Sequence, residues 1–187
     1  MPDSTTYSIS LQGIDQVTAA MAASPEIVRE EMERFLAWAI SHLTAEIQDR
    51  TPAAEGALRA SIIGSYQVSD TGMLGVVGTS LDYAMPVELG TKPHAVSESG
   101  ILAIARWAMR KLPLGQAVSA KTGRPLKTPG IEEAAQRVAH AIAWKIRHKG
   151  TAGAFMFDRA FSANRGLIER GWVSAVERIT QRIGGKQ

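Results

Sequence analysis

Tyr83-Ala-Met-Pro-Val-Glu88-Leu-Gly90-Thr91-Lys-Pro93-His94, near the middle of the 187-residue chain, is the stretch around which the other segments arrange themselves. Gly90 and Pro93 bracket a reversal of direction, because glycine admits positive φ and proline fixes φ while lacking an N–H. Glu88 comes just ahead of the reversal and Thr91 just after it. A carboxylate and a hydroxyl so placed are able to bond to the turn's backbone groups. The stretch therefore predicts a rigid corner with capping side chains. Glu88 and His94 stand six residues apart across a Gly-Thr-Lys-Pro turn and supply neither a metal set nor a nucleophile. No catalytic residue, metal or cofactor is expected, and the chain does not read as an enzyme.

Upstream of the corner, Ser61–Val68 and Met73–Thr79 are strand-like, and Asp70-Thr71-Gly72 between them is a short turn, so the pair predicts a β-hairpin. Glycines 64, 75 and 78 weaken these strands and point to bends or close backbone approach. The hairpin's apolar positions need a cover. Ser24-Pro25-Glu26 opens a helix with an N-cap, a proline at its first position and an acidic first turn, and Thr51-Pro52 stops it. Along it Val28, Met32, Phe35, Ala39, Leu43 and Ile47 recur at three- and four-residue intervals, which is one buried face. Trp38 and His42 flank that stripe, and His42 reads as a boundary residue rather than a ligand. Residues 51–61 read as a loop leading into the first hairpin strand. Tyr7-Ser-Ile9-Ser-Leu11 alternates as a short strand that Gly13 ends. The expected fold class is α+β: a long N-terminal helix on a small antiparallel sheet, then a helical C-terminal half.

Downstream, Ser97 or Ser99 caps a helix carrying Ile101, Ala105, Ala108 and Leu112, which Pro113 ends. Residues 113–130 hold three prolines, three glycines and the cations Lys121, Arg124 and Lys127 with no apolar period, so they form a basic loop suited to DNA phosphate or an acidic partner surface. Thr128-Pro129 opens a further helix with Ala135, Val138, Ile142 and Ile146 as its buried line and a basic end before Gly150. His140 and His148 on it are eight apart, which is not a helical zinc spacing. Gly150-Thr-Ala-Gly153 lacks the ending of a phosphate-binding loop. Ala154-Phe155-Met-Phe157 reads as a hydrophobic anchor for a last helix with Phe161, Ile168, Trp172, Ala175, Ile179 and Ile183 on one stripe, which Gly166 and Gly171 bend or loosen.

Length predicts a single domain over 1–187: a helix-on-sheet body to residue 95, a helical extension over 96–150, and a C-terminal helix over 151–187. There is no cysteine, which removes disulfides, thiolate metal sites and thiol nucleophiles. Met-Pro-Asp-Ser-Thr-Thr carries no export signal and no apolar run is long enough to span a bilayer, so a soluble protein made in the cytoplasm is expected. The net charge of +3 conceals a division: residues 1–95 carry 5 Lys or Arg against 12 Asp or Glu, and residues 96–187 carry 16 against 6. Such halves suit docking of copies or neighbours with a defined polarity, or a DNA-binding module through the basic half.

With its flanks, the central stretch resembles the tail-component family of long-tailed bacteriophages named after the tenth gene product of a lambdoid phage. Three ordered landmarks carry the resemblance. Thr51-Pro52 followed by Gly56-Ala57-Leu58-Arg59-Ala60-Ser61 is similar to the family's Thr-Pro, Thr-Gly-x-Leu, Ser signature. Tyr83-Ala84 with Val87-Glu88, Gly90-Thr91 and Pro93-His94 matches its most recognisable run. Lys149-Gly150-Thr151 leading to Phe155, Phe157 and Ala160 is similar to the start of its C-terminal helix. Glu55 stands where the family often has threonine, and Ser97–Lys149 is longer than in compact members. The resemblance implies a neck or tail-completion protein that joins tail to head, with a tail terminator as the nearest alternative. It implies a ring of six copies at the head-tail junction, neighbours among the terminator, stopper and tail-tube proteins, and DNA passing through the channel. Tyr83, Glu88, Gly90, Thr91, Pro93 and His94 would shape a structural corner, and Phe155 and Phe157 would anchor the last helix.

Overall fold

Thr51-Pro52 ends the long N-terminal helix as expected, and the way it does so shows how the first half of the chain is held. A computed structural model describes residues 15, 17, 20, 22, 24–52, 56–69, 72–114 and 130–184. Helix α1 runs Pro25–Arg50. Thr51 takes extended angles, the bias imposed by a following proline, and its buried hydroxyl donates to the Ile47 carbonyl at 2.7 Å. Ser24 occupies the N-cap position without a side-chain cap bond. Its N–H donates instead to the Ala20 carbonyl, because Ala20 and Ala22 before it are already helical.

Residues 57–61, read as loop from sequence, form a short helix α2, Ala57–Ser61. Gly56 precedes it at φ 84, a left-handed conformation glycine adopts freely, and this turns the chain so that Leu58 is buried. Strands β1, Ile63–Ser69, and β2, Gly72–Gly78, pair antiparallel with Tyr66 opposite Gly75 and Gln67 opposite Leu74. Gly64 and Gly75 are where the hairpin crosses α1. A Cβ at Gly64 would lie 2.3 Å from Cγ2 of Ile40, and one at Gly75 would lie 2.7 Å from Cδ1 of the same side chain. Gly78 meets nothing, so close approach accounts for two of the three strand glycines.

Beyond the hairpin come helix α3, Ala84–Leu89, strand β3, Gly90–Thr91, helices α4, Glu98–Lys111, and α5, Ile131–Lys149, strand β4, Thr151–Ala152, and helix α6, Met156–Gly184. The architecture is α+β: a long N-terminal helix, a small antiparallel hairpin and a helical C-terminal half. The chain divides into two compact units, residues 1–84 with 155–187, and residues 85–154. The last helix thus belongs with the N-terminal half. The expected strand over Tyr7–Leu11, residues Asp70 and Thr71 of the hairpin turn, and the basic loop with Lys121, Arg124 and Lys127 lie outside the described residues.

In the first unit the core is the seam between α1 and α6. Val28, Met32, Phe35, Leu36, Ala39 and Leu43 face Ile168, Trp172, Ala175 and Ile179, and Val68, Met73 and Val77 of the hairpin pack against the cluster. Each fully buried aliphatic or Phe side chain there contributes about 1.5–3 kcal/mol. Phe35 meets the Trp172 ring edge-on at 5.5 Å. Gly171, expected to loosen α6, instead receives Trp38, whose ring would lie 2.5 Å from an added Cβ.

In the second unit α4 packs on α5. Ser97 caps α4 by accepting from the Gly100 N–H. Ala105 and Ala108 bury against Ala135 and Ala139. The expected line of Ala135, Val138, Ile142 and Ile146 is rotated: Ala135, Ala139 and Ala143 are buried, and the three branched residues are half-buried. Alanines on both helices bring the backbones close, so the bulkier side chains flank the seam instead of filling it.

Candidate functional site

The second unit is closed by a clasp between β3 and β4. Thr91 pairs with Thr151 and Gly90 with Ala152. Each threonine uses its hydroxyl on the other's backbone. The Thr91 N–H donates to Thr151 Oγ1 at 3.0 Å, the Thr151 N–H donates to Thr91 Oγ1 at 3.2 Å, and the two hydroxyls bond each other at 3.0 Å. The ladder continues where the Ala154 N–H donates to the Val87 carbonyl at 2.8 Å.

Glycine is required at three points of this clasp by backbone proximity. A Cβ at Gly90 would lie 2.3 Å from the Thr151 carbonyl oxygen, one at Gly153 would lie 2.4 Å from the Glu88 carbonyl oxygen, and one at Gly150 would lie 1.9 Å from the Thr91 carbonyl oxygen. Gly150 also sits at φ 70, ψ −159, a region closed to residues with a Cβ. It ends α5, its N–H donating to the Ile146 carbonyl at 2.9 Å, and the His94 N–H reaches the same oxygen at 3.4 Å. The corner is therefore tied to the C-terminus of α5 as well as to β4.

The expected site residues fall as follows. Glu88 is buried on α3, and Gly90 adopts φ 81. Thr91 serves a segment 60 residues away rather than its own turn. Pro93 and His94 are exposed, and His94 Nδ1 donates to the Lys92 carbonyl at 2.9 Å. Tyr83 is exposed just ahead of α3 and falls in the first unit, as do Phe155 and Phe157. The anchor of α6 is Met156, which is fully buried and receives a bond from the Thr51 hydroxyl at 3.2 Å. Phe155 is exposed at φ 52, with the Arg159 guanidinium over its ring, and Phe157 is half-buried.

Two polar groups in the first unit were missed from sequence. Glu31 is 1% exposed yet lies inside the apolar stripe, between Val28 and Phe35. Arg178 donates to its Oε2 at 2.7 Å, and Arg182 and Arg34 donate to its Oε1 at 2.9 and 2.8 Å. Arg182 and Arg34 also reach Glu30, at 2.8 and 3.1 Å. Burial pushes the Glu31 carboxyl up, but the bonds from Arg178 and Arg182 and the charge of Arg34 outweigh it and hold the group below its ordinary value. Arg182, first by its bond and then by its charge, lowers Glu30 likewise. An acidic residue within an apolar stripe was the available signal. The second group centres on buried Asn164. Its Oδ1 accepts from His42 Nε2 at 2.8 Å, and its Nδ2 donates to Glu46 at 3.0 Å and to the Ala160 carbonyl at 2.9 Å. Asn164 and then Arg50 hold the Glu46 carboxyl low. His42 thus joins α1 to α6, and Trp38 stacks on its ring.

Among the described residues no group of three or more His, Asp or Glu is placed to hold a metal ion, and no helix is long and apolar enough to cross a membrane. The chain matches no protein-family model, no curated protein and no solved structure.

Proposed function

We propose that the protein is a structural part of a tailed bacteriophage virion, a neck or tail-completion protein that sits as a ring at the head-proximal end of the tail and joins it to the head. The observation that carries this reading is the clasp. Gly90-Thr91 and Gly150-Thr151, two of the three landmarks of the resemblance, lie 60 residues apart in sequence and meet as one ladder. Each of their glycines is demanded by backbone contact, so the resembling residues coincide with a shape-setting device rather than with scattered surface positions.

A second observation favours assembly. Among the described residues the hairpin sheet has two strands, and its face turned from α1 leaves Ile63 70%, Leu74 62% and Val76 50% exposed. A two-stranded ribbon with an apolar outer face is stable in water when something covers it. In a ring, the cover is the next copy of the chain.

Sedimentation of the purified protein tests this reading. The wild-type chain is expected to form a closed oligomer. Leu74→Asp is expected to reduce the oligomer to monomers with unchanged helix content, because Leu74 is exposed within the single chain. A wild-type chain that stays monomeric up to high concentration, alone and with isolated tails, would count against a ring.

A further inference from the structure

Helix α5 keeps one face free of its partner helix. Opposite the alanine seam, at three- and four-residue spacing, stand Glu133, Arg137, His140, Trp144, Arg147 and His148, all exposed. Trp144 is 61% exposed, although the His148 ring stacks on its indole at 4.3 Å. His148 is held there by its Nδ1, which donates to the Trp144 carbonyl at 2.8 Å. This is a rigid aromatic platform set between cations.

Among the described residues those cations have no carboxylate partner. In the first unit Arg34, Arg50, Arg59, Arg165, Arg178 and Arg182 all sit in ion pairs with carboxylates. Among the described residues no ion pair engages Arg137, Lys145, Arg147 or Lys149 on α5. The second unit carries 11 Lys or Arg against 4 Asp or Glu. Its positive field is therefore open to an external polyanion.

From this we infer that the outward face of α5 binds a nucleic-acid strand, with Arg137 and Arg147 on phosphates and Trp144 stacked on an unpaired base. At a rise of 1.5 Å per residue the two arginines are about 15 Å apart along the axis, a span that a few nucleotides of a single strand cover. An indole between cations suits a strand better than an acidic protein surface. Phosphates and carboxylates both neutralise arginine, but every nucleotide of a strand brings a ring for the indole beside its phosphate, whereas an acidic protein surface does so only where an aromatic side chain stands next to its carboxylates. Glu133 at the start of the stripe confines the site to its C-terminal three turns. Strand binding of this kind stands apart from the neck role and needs no ring.

The test uses the full chain and a fluorescent 12-nucleotide single strand, with the matching duplex as competitor, and follows anisotropy across salt concentrations. Binding is expected to weaken as salt rises and to favour the single strand. The Arg137→Gln/Arg147→Gln double variant is expected to reduce the slope of log K against log salt by about 1.4, at about 0.7 per phosphate contact. Trp144→Ala is expected to lower affinity by about tenfold or more at unchanged slope. Its helix content should match the wild type, since the side chain is exposed. Four results would overturn the inference: no binding, binding indifferent to Trp144→Ala, loss only on neutralising Lys121, Arg124 and Lys127, or equal competition by polyglutamate, which would mark an acidic protein partner.

Discussion

Gly150→Ala is expected to destabilise the unit of residues 85–154 by about 3–5 kcal/mol, the larger of two effects that probe the chain's architecture most sharply. A side chain at φ 70, ψ −159 costs on the order of 1–3 kcal/mol in backbone strain alone. Relief is unavailable, because the added carbon would lie 1.9 Å from the Thr91 carbonyl oxygen and 2.9 Å from the Lys92 carbonyl carbon, which are backbone atoms. The β3–β4 pairing must open, and each lost bond of the threonine clasp adds about 1 kcal/mol. For a unit of this size the melting temperature should fall by more than about 12 °C. The Thr91 and Thr151 amides should lose protection from hydrogen exchange first. Gly130→Ala is the control: nothing lies within 4 Å of its added Cβ, and little change is expected. Equal stability of the Gly150 and Gly130 variants would deny the clasp any part in holding this unit.

The second large effect is at Glu31. Glu31→Ala is expected to cost about 2–4 kcal/mol, below the range for a fully buried pair because Arg178 and Arg182 are 40% and 39% exposed and rehydrate in part. The same group gives a pH signature. Glu30, Glu31 and Glu46 lie below their ordinary value of 4.5 in the folded chain. Their contribution is therefore complete above pH 4.5 and is lost as the pH falls through the lowered folded values. Urea unfolding midpoints should drop between pH 7 and acid more steeply in the wild type than in Glu31→Gln. Parallel curves would mean that Glu31 contributes nothing through its charge.

Much of the fold was legible because it rests on periodicity. Val28, Met32, Phe35, Ala39, Leu43 and Ile47 form the buried face of α1, and Ile168, Trp172, Ala175 and Ile179 that of α6, as their spacing implied. The hairpin follows from two strand-like runs about a turn. What was not legible depends on partners distant in sequence. Thr91 reads as a local cap until Thr151 is beside it, and Gly150 reads as a helix stop until the Thr91 carbonyl crowds it. The seam of α5 shifts onto alanines because α4 presents alanines, and one helix's spacing does not carry that information. Phe155 drew the anchor reading by size, whereas Met156 next to it holds the buried position.

For the corner itself, Gly90 and Thr91 were singled out for the right chemistry and the wrong range. The turn-forming residues act on a strand that arrives 60 residues later. A long-range clasp of this kind ties the segments of the second unit together beside a small core built on alanines.

Electron microscopy of particles made from the parent genome with this reading frame deleted tests the proposed joining role most directly. A joining role predicts DNA-filled heads and tails of normal length lying apart, with attachment restored when the purified protein is added back. Tails of uncontrolled length would assign the chain to tail termination instead, and intact, infectious particles would contradict a joining role altogether.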